Sequence, residues 1–185
     1  MVTTDTHNDN IRCLNKTSQE LAVGLDTWLE ENPGKPLKLD SHSMGTRVML
    51  LALQLLHEVG SLEGRNVTVN LIAPPLTEFR SAKKARLTPP GASRLEEDLE
   101  SSFISQEEIS QIQLPNNVKV RVFLGGKDNI VSPEYVRQEA FQQLLQRLNA
   151  EVVQFPNANH MTVLHETTRW LKSGSRVPSP ESSQD

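Results

Sequence analysis

The stretch LDSHSMGTR, residues 39–47, lies between a short apolar strand pattern and a long apolar helix pattern. The strand pattern is LKLD, which begins at Leu37, and the residues from Thr46 to Val59 are almost all apolar. A helix that is apolar on nearly all sides is expected to be buried on nearly all sides. The turn between these elements therefore sets two serines and a histidine, Ser41 to Ser43, between two parts of a predicted core.

Outward from this turn, the chain alternates strand and helix patterns. Runs rich in β-branched residues predict three further strands, at 67–73, 118–126 and 151–155. Ser132-Pro133 is expected to open a helix that runs to about Asn149, with proline at its first position, and the last helix is predicted over 161–173. Strands that alternate with helices predict an α/β fold, a parallel sheet flanked by helices with right-handed crossovers.

Changes in composition predict the boundaries of the domain. Residues 1–16 are polar and are expected to be flexible, and a capping-box pattern of Thr17 with Glu20 predicts that a helix begins there. Residues 76–117 are mostly polar, with a basic block before an acidic block, and are interpreted as an inserted, partly helical segment with solvated faces. The end of the chain, 173–185, has a composition typical of a disordered tail. The predicted domain is therefore 17–172.

Composition excludes several classes of function. Hydrophobic residues make up 36% and charged residues 23%, and the net charge of −4 gives no basic surface for nucleic acid. Cys13 is the only cysteine, so no intrachain disulfide is expected. No apolar run approaches the roughly 20 residues that cross a bilayer, and the polar start lacks the pattern of a signal peptide. A cytoplasmic globular protein with no nucleic-acid partner and no transmembrane segment is predicted.

Three residues with complementary chemistry follow three of the predicted strands: Ser43, Asp128 and His160. Ligands of parallel sheets bind at the carboxyl ends of the strands, so all three are expected on one rim. A serine hydroxyl is a weak nucleophile until a base takes its proton, and a neutral imidazole is such a base. A carboxylate can hold that imidazole in the required tautomer. The three side chains together predict nucleophilic catalysis.

Each of these residues also has a structural interpretation when it is taken alone. Ser43 fits a helix N-cap, Asp128 a turn residue after Gly125-Gly126, and His160 a cap of the last helix. Their shared position in the sheet favours the catalytic interpretation over three unrelated loop residues. The other histidines in the predicted elements do not share it: His57 and His165 are interpreted as helix-surface residues and His42 as a filler of the turn.

The same segments resemble the C-terminal half of the α/β-hydrolase superfamily over residues 36–172. SHSMG resembles its nucleophile elbow G-x-S-x-G, and the order Ser, Asp, His along the chain is that of its catalytic triad. VFLGGKDNIVSP resembles its acid-bearing loop and NANHMTVL its histidine loop. The stretch from SHSMGTRVMLLAL to VNLIAPPLTEF is most similar to bacterial α/β hydrolases of uncharacterised function.

This resemblance implies a serine hydrolase, esterase- or lipase-like, that acts on small-molecule carboxylic esters through an acyl-enzyme. It implies that Ser43 is the nucleophile, His160 the base and Asp128 the orienting acid, with the backbone N–H of Met44 in the oxyanion hole. Residues 76–117 fall where such hydrolases carry a lid. No cofactor and no metal are implied.

The sequence also departs from the superfamily. Ser41 replaces the first glycine of the elbow, and Asp40 brings a carboxylate close to the nucleophile in sequence. The superfamily's N-terminal strands, and the loop that supplies the second oxyanion donor, have no counterpart, so the fold is expected to be partial. The elbow strand is then an open sheet edge.

That edge leaves several alternatives open. The chain is also compatible with a truncated, catalytically silent fragment, with an interaction module, and with self-association or a partner chain at the exposed edge. Acyltransferase or haloperoxidase-like activity on the same scaffold is a further alternative, because a fold does not fix a reaction.

Overall fold

The computed structural model describes residues 5–75, 111–131 and 137–174, of which 5–14 are described by their backbone alone. Four helices are present in these residues: α1 (Asp5–Glu31), α2 (Gly45–Glu58), α3 (Glu139–Arg147) and α4 (Thr162–Ser173). The four strands are β1 (Leu37–His42), β2 (Val67–Ile72), β3 (Val118–Gly125) and β4 (Glu151–Phe155). The predicted strands and the last helix are confirmed to within a few residues.

The strands form one parallel sheet in the order β1-β2-β3-β4. Each strand is joined to the next by a crossover, which is the arrangement that alternating strand and helix patterns predicted. Because all four strands run in one direction, the turns that follow β1, β3 and β4 lie on the same edge of the sheet. The strand β1 is at the edge of the described sheet, as the sequence predicted.

The core lies on both faces of this sheet. The larger part contains the buried side of α2, with Leu50 and Leu53 fully buried, together with buried residues of α1, α3 and alternate positions of the strands. The smaller part lies beneath α4 and is built around Phe123 and Val163. Phe123 contacts Trp170 edge to face at 5.4 Å between ring centroids. Helix α4 therefore packs on the face opposite α2.

Helix α2 is covered by α1, which packs along it. No residue of α2 from Thr46 to His57 is exposed, so the prediction of a helix buried on nearly all sides is confirmed. Leu29 of α1 joins the same core at 2% exposure. The helix before the elbow therefore covers much of the surface that the edge position of β1 would otherwise leave open.

The predicted start of the first helix is wrong. The helix begins at Asp5, so the backbone of 5–16, which was predicted to be flexible, is helical, and Thr17 lies inside the helix rather than at its N-cap. Residues 5–16 contain no proline and no glycine, so nothing in this stretch interrupts the helix. Residues 1–4 lie outside the described residues.

The predicted helix from Pro133 to Asn149 is interrupted at Gln138 in the structure. Gln138 has an extended backbone, with φ −74° and ψ 137°, so α3 begins only at Glu139. The predicted start at Ser132-Pro133 lies outside the described residues. At the other end Asn149 has a positive φ of 45°, which a helix does not permit.

Most of the predicted insert, 76–110, lies outside the described residues, as does the predicted tail from residue 175 onwards. The last residues of the insert, 111–117, pack onto the domain. Ile112 is 2% exposed in the main core, and its neighbour Gln113 donates its backbone N–H to the Gln54 side chain of α2 at 2.8 Å.

Candidate active site

Ser43 occupies a strained turn between β1 and α2. Its φ is +52°, in the left-handed region that residues other than glycine seldom adopt. The turn is held on both sides, because Ser43 N–H donates to Ile72 O at 2.9 Å and Ser43 O accepts from the Thr46 hydroxyl at 2.7 Å. The strand, the turn and the buried helix thus present the Ser43 side chain at the carboxyl edge of the sheet.

The interpretation of Ser43 as a helix cap does not fit the structure. The N-cap position of α2 is Met44, and no side chain makes a capping hydrogen bond there. The backbone N–H of Met44 lies at the start of the helix, where N–H groups have no acceptor within the helix. No described residue accepts a hydrogen bond from it. This N–H is next to Ser43 and is available to an oxygen atom bound at the turn.

Asp128 is fixed by its own loop. One carboxylate oxygen, Oδ1, accepts the backbone N–H groups of Ile130 and Val131, both at 2.8 Å. The other, Oδ2, lies 2.9 Å from Nδ1 of His160, and the Asp128 side chain is fully buried. Asp128 is therefore both a turn residue and a histidine partner, so the two interpretations of this residue are compatible.

His160 lies between the other two residues. Its Nδ1 faces Asp128, and its Nε2 is 3.1 Å from the hydroxyl oxygen of Ser43. The side chain that caps the following turn is Asn159, whose Oδ1 accepts the backbone N–H groups of Met161 and Thr162 at 3.0 and 2.9 Å. Asn159 therefore makes the capping hydrogen bonds that were predicted for His160. The ring of His160 instead contacts Ser43 and Asp128.

The loops that carry Asp128 and His160 touch through two glycines. Gly126 N–H donates to Phe155 O, and a side chain at Gly126 would place its Cβ 2.5 Å from Pro156 O. At Gly125 the Cβ would lie 2.6 Å from Ala158 O. Real Cβ atoms do not approach backbone oxygens this closely, so the two loops require glycine for their mutual approach.

We therefore expect Gly126→Ala to separate the two loops. The added methyl would displace Pro156 and lower the free energy of unfolding by about 1–3 kcal/mol, as overpacking does. It would also move Asp128 relative to His160 and lower any activity that needs this pair. Chemical denaturation and ester turnover measure the two effects. Gly24→Ala is the matched control, since a Cβ there meets nothing within 4 Å; an equal loss in both variants would contradict the close approach.

The two departures in the elbow have simple structural explanations. Ser41 is buried, and its hydroxyl lies 3.4 Å from Asn70 O in the adjacent strand, so its polar atom has a partner. Asp40 is exposed, and its carboxylate accepts the side-chain N–H of Asn70 at 2.6 Å. Among the described residues, the hydrogen bonds of both side chains are made to Asn70 and not to Ser43.

The sequence interpretation of His42 as a filler is incomplete. Its Nε2 lies 3.0 Å from the backbone oxygen of His160, and the two imidazole rings have centroids 4.9 Å apart with an angle of 44° between their planes. The only sequence feature that pointed to this contact was the position of His42 directly before Ser43. His57 and His165 are apart from the site as predicted: His57 lies 3.4 Å from Glu63, and His165 is exposed on α4.

Other kinds of site are not found in the described residues. No group of three or more His, Cys, Asp or Glu side chains in this part of the chain is placed to hold a metal ion. None of the described helices combines the length and the apolar character that a membrane span requires.

Comparison with known proteins gives matches in structure and none in sequence. No family profile matches the chain, and no curated protein matches its sequence. An esterase of Pyrococcus furiosus superposes with a TM-score of 0.53 at 20% identity, over 85% of this chain and 58% of the esterase chain. Another crystal form of that esterase gives a TM-score of 0.54 at 18% identity, over 85% and 59%.

A hydrolase from Oleispira antarctica also superposes, with a TM-score of 0.50 at 14% identity, over 87% of this chain and 72% of the hydrolase. At these identities the similarity shows a shared fold. The chain spans less than two thirds of the length of the Pyrococcus furiosus esterase chains.

Proposed function

We propose that this chain, which has the α/β-hydrolase fold, is a serine hydrolase that cleaves carboxylic esters through an acyl-enzyme. One observation carries the proposal: the ring of His160 is within hydrogen-bond distance of the Ser43 hydroxyl on one side and of the buried Asp128 carboxylate on the other. Structural similarity to an esterase and a hydrolase supports the same class of reaction.

The contacts of His160 determine where its proton lies. The ionised Asp128 carboxylate only accepts hydrogen bonds, so Nδ1 of His160 carries the hydrogen. In the neutral ring Nε2 then has a lone pair, which accepts the hydrogen bond from the Ser43 hydroxyl. This is the tautomer that a general base for a serine nucleophile requires.

The acylation step follows from this arrangement. Nε2 of His160 takes the proton of Ser43 as Oγ forms a bond to the ester carbonyl carbon, and the carbonyl electron pair moves to oxygen. We expect the Met44 N–H to donate to that oxyanion. Collapse of the intermediate breaks the bond to the alkoxide, which takes the proton from Nε2. A water molecule repeats the sequence on the acyl-enzyme and releases the carboxylic acid.

The test is a pre-steady-state measurement with p-nitrophenyl acetate. An acyl-enzyme that hydrolyses more slowly than it forms predicts a rapid burst of about one p-nitrophenolate per chain before slower steady turnover. Near-UV circular dichroism and a cooperative thermal melt serve as the control for folding. A folded, monodisperse chain that releases p-nitrophenolate no faster than buffer would contradict the proposal.

A second candidate function is supported by the position of β1. Within the described residues β1 pairs with β2 alone, so its outer backbone N–H and C=O groups are open to another strand. The corresponding hypothesis is an interaction module without catalysis, which pairs with a second copy or a partner through this edge. A cooperatively melting chain that forms a defined oligomer in size-exclusion chromatography and gives no burst would favour it over the hydrolase.

A further inference from the structure

The side chain of His42 reaches across the rim of the sheet to the loop of His160. His42 is the last residue of β1, while His160 follows β4, and two strands separate β1 from β4 in the sheet. The contact therefore passes over the carboxyl ends of β2 and β3. It has two parts: a hydrogen bond of 3.0 Å between His42 Nε2 and His160 O, and the ring contact at 4.9 Å.

The hydrogen bond fixes the tautomer of His42. A carbonyl oxygen only accepts, so His42 Nε2 must carry the hydrogen and donate it. Nε2 of His42 therefore donates to the backbone of the His160 loop, whereas Nε2 of His160 faces Ser43. The two adjacent residues of the elbow thus contact two different parts of the same histidine.

His160 is consequently held at four points. Asp128 holds Nδ1, the Ser43 hydroxyl faces Nε2, His42 holds the backbone carbonyl, and the His42 ring packs against the imidazole. Asp128 can orient the ring only if the backbone that carries it stays in place. Rates of general-base catalysis depend strongly on this placement, since a shift of about 1 Å can cost on the order of 100-fold.

We infer that His42 is a positioning residue that sets the distance between the base and the nucleophile by tying the elbow to the His160 loop. The inference rests on the proposed serine-hydrolase function. In this role His42 neither contacts substrate nor transfers a proton. Its substitution should therefore lower kcat more than it changes KM. Because His42 precedes Ser43 directly, any movement of the elbow is transmitted to the carbonyl of His160.

Two substitutions separate the donor from the ring. In His42→Gln the side-chain amide nitrogen is the same number of bonds from Cβ as Nε2, so the N–H donor is kept and the aromatic ring is lost. In His42→Phe the ring is kept and the donor is lost. We expect kcat to fall about 10- to 100-fold in His42→Phe and to stay within about threefold of wild type in His42→Gln.

Two controls accompany this pair. His165→Phe makes the same change at an exposed histidine of α4 and should leave kcat unchanged. In a His160→Ala background, His42→Phe should cause no further loss, because a residue that acts through His160 has nothing left to position. If His42→Phe does not fold, His42→Ala replaces it in the comparison with His42→Gln.

A readout that does not need turnover keeps this inference separate from the proposed function. In histidine-¹⁵N-labelled wild type, ring correlations should place hydrogen on Nε2 of His42 and on Nδ1 of His160. The His160 ring signals should shift or broaden in His42→Phe and persist in His42→Gln. Wild type without ester turnover but with this NMR pattern would reject the proposed hydrolase and retain the positioning contact.

Three results would overturn the inference: wild-type kcat in His42→Phe, equal losses in His42→Gln and His42→Phe, or an additional loss from His42→Phe in the His160→Ala background. The first denies any effect of the contact. The second shows that keeping the N–H donor does not preserve kcat, so the hydrogen bond to His160 O does not carry the effect, and the third assigns the loss to the stability of the elbow.

Discussion

Replacing Ser43 by alanine is expected to lower kcat for ester hydrolysis by about 10⁶-fold, the size of loss seen when a serine nucleophile is removed from a complete catalytic triad. The hydroxyl oxygen of Ser43 lies 3.1 Å from Nε2 of His160, and in the proposed mechanism the acyl-enzyme forms on this oxygen. Alanine also tolerates the positive φ of +52° no worse than serine, so the turn should persist. Steady-state kinetics and the burst amplitude with p-nitrophenyl acetate measure the effect.

Ser41→Ala is the matched control for this variant. It removes a hydroxyl two residues away, on a side chain whose recorded partner is the Asn70 carbonyl at 3.4 Å. We expect its kcat to remain within a few-fold of wild type. A Ser43→Ala protein that keeps more than about 1% of the activity, with its melt unchanged, would show that another group is the nucleophile.

The second large effect is expected for Asp128→Asn, at about 10⁴-fold in kcat. Asparagine can keep the turn, because its oxygen can still accept from Ile130 and Val131. Its NH₂ group then faces Nδ1 of His160 as a donor. To accept this hydrogen bond, Nδ1 must carry the lone pair and Nε2 must carry the hydrogen. Nε2 then can no longer accept the proton of Ser43.

Asp40→Asn is the matched control for this second variant. Asp40 is exposed, and its recorded partner is the side chain of Asn70. The same chemical change three residues before the nucleophile should alter kcat by less than about threefold, since surface substitutions have small effects. Equal losses in Asp40→Asn and Asp128→Asn would show that the general negative charge of the rim matters and that the tautomer of His160 does not.

The fold could be predicted from the sequence where a pattern was continuous. Three of the four strands, β2 to β4, are short runs rich in β-branched residues, all four are bounded by glycine, proline or polar turns, and their alternation with helices predicts a parallel sheet. The start of α1 at Asp5 could not be predicted in this way, because the residues before Thr17 are mostly polar and only Ile11 and Leu14 have the apolar spacing of a helix. The extended backbone at Gln138 could not be predicted either, because glutamine is compatible with a helix. The start of α3 at Glu139 was therefore missed.

The candidate site could be predicted as far as residue types and strand ends determine it. The topology predicts Ser43, Asp128 and His160 on one rim. In the structure the His160 ring lies 3.1 Å from the Ser43 hydroxyl and 2.9 Å from the Asp128 carboxylate. His42 could not be assigned, since its contact depends on how far one loop reaches across two strands. The close approach at Gly126 is hidden for the same reason, because its neighbour Pro156 is on another loop.

The most direct test of the account is to label the purified chain with a fluorophosphonate and map the modified residue. Trypsin is expected to cut after Lys38 and after Arg47, which releases LDSHSMGTR as a single peptide. We expect one added phosphonyl group per chain, placed on Ser43 by fragmentation, and none in Ser43→Ala. Folded wild type without label, or with the label on Ser41, would contradict it.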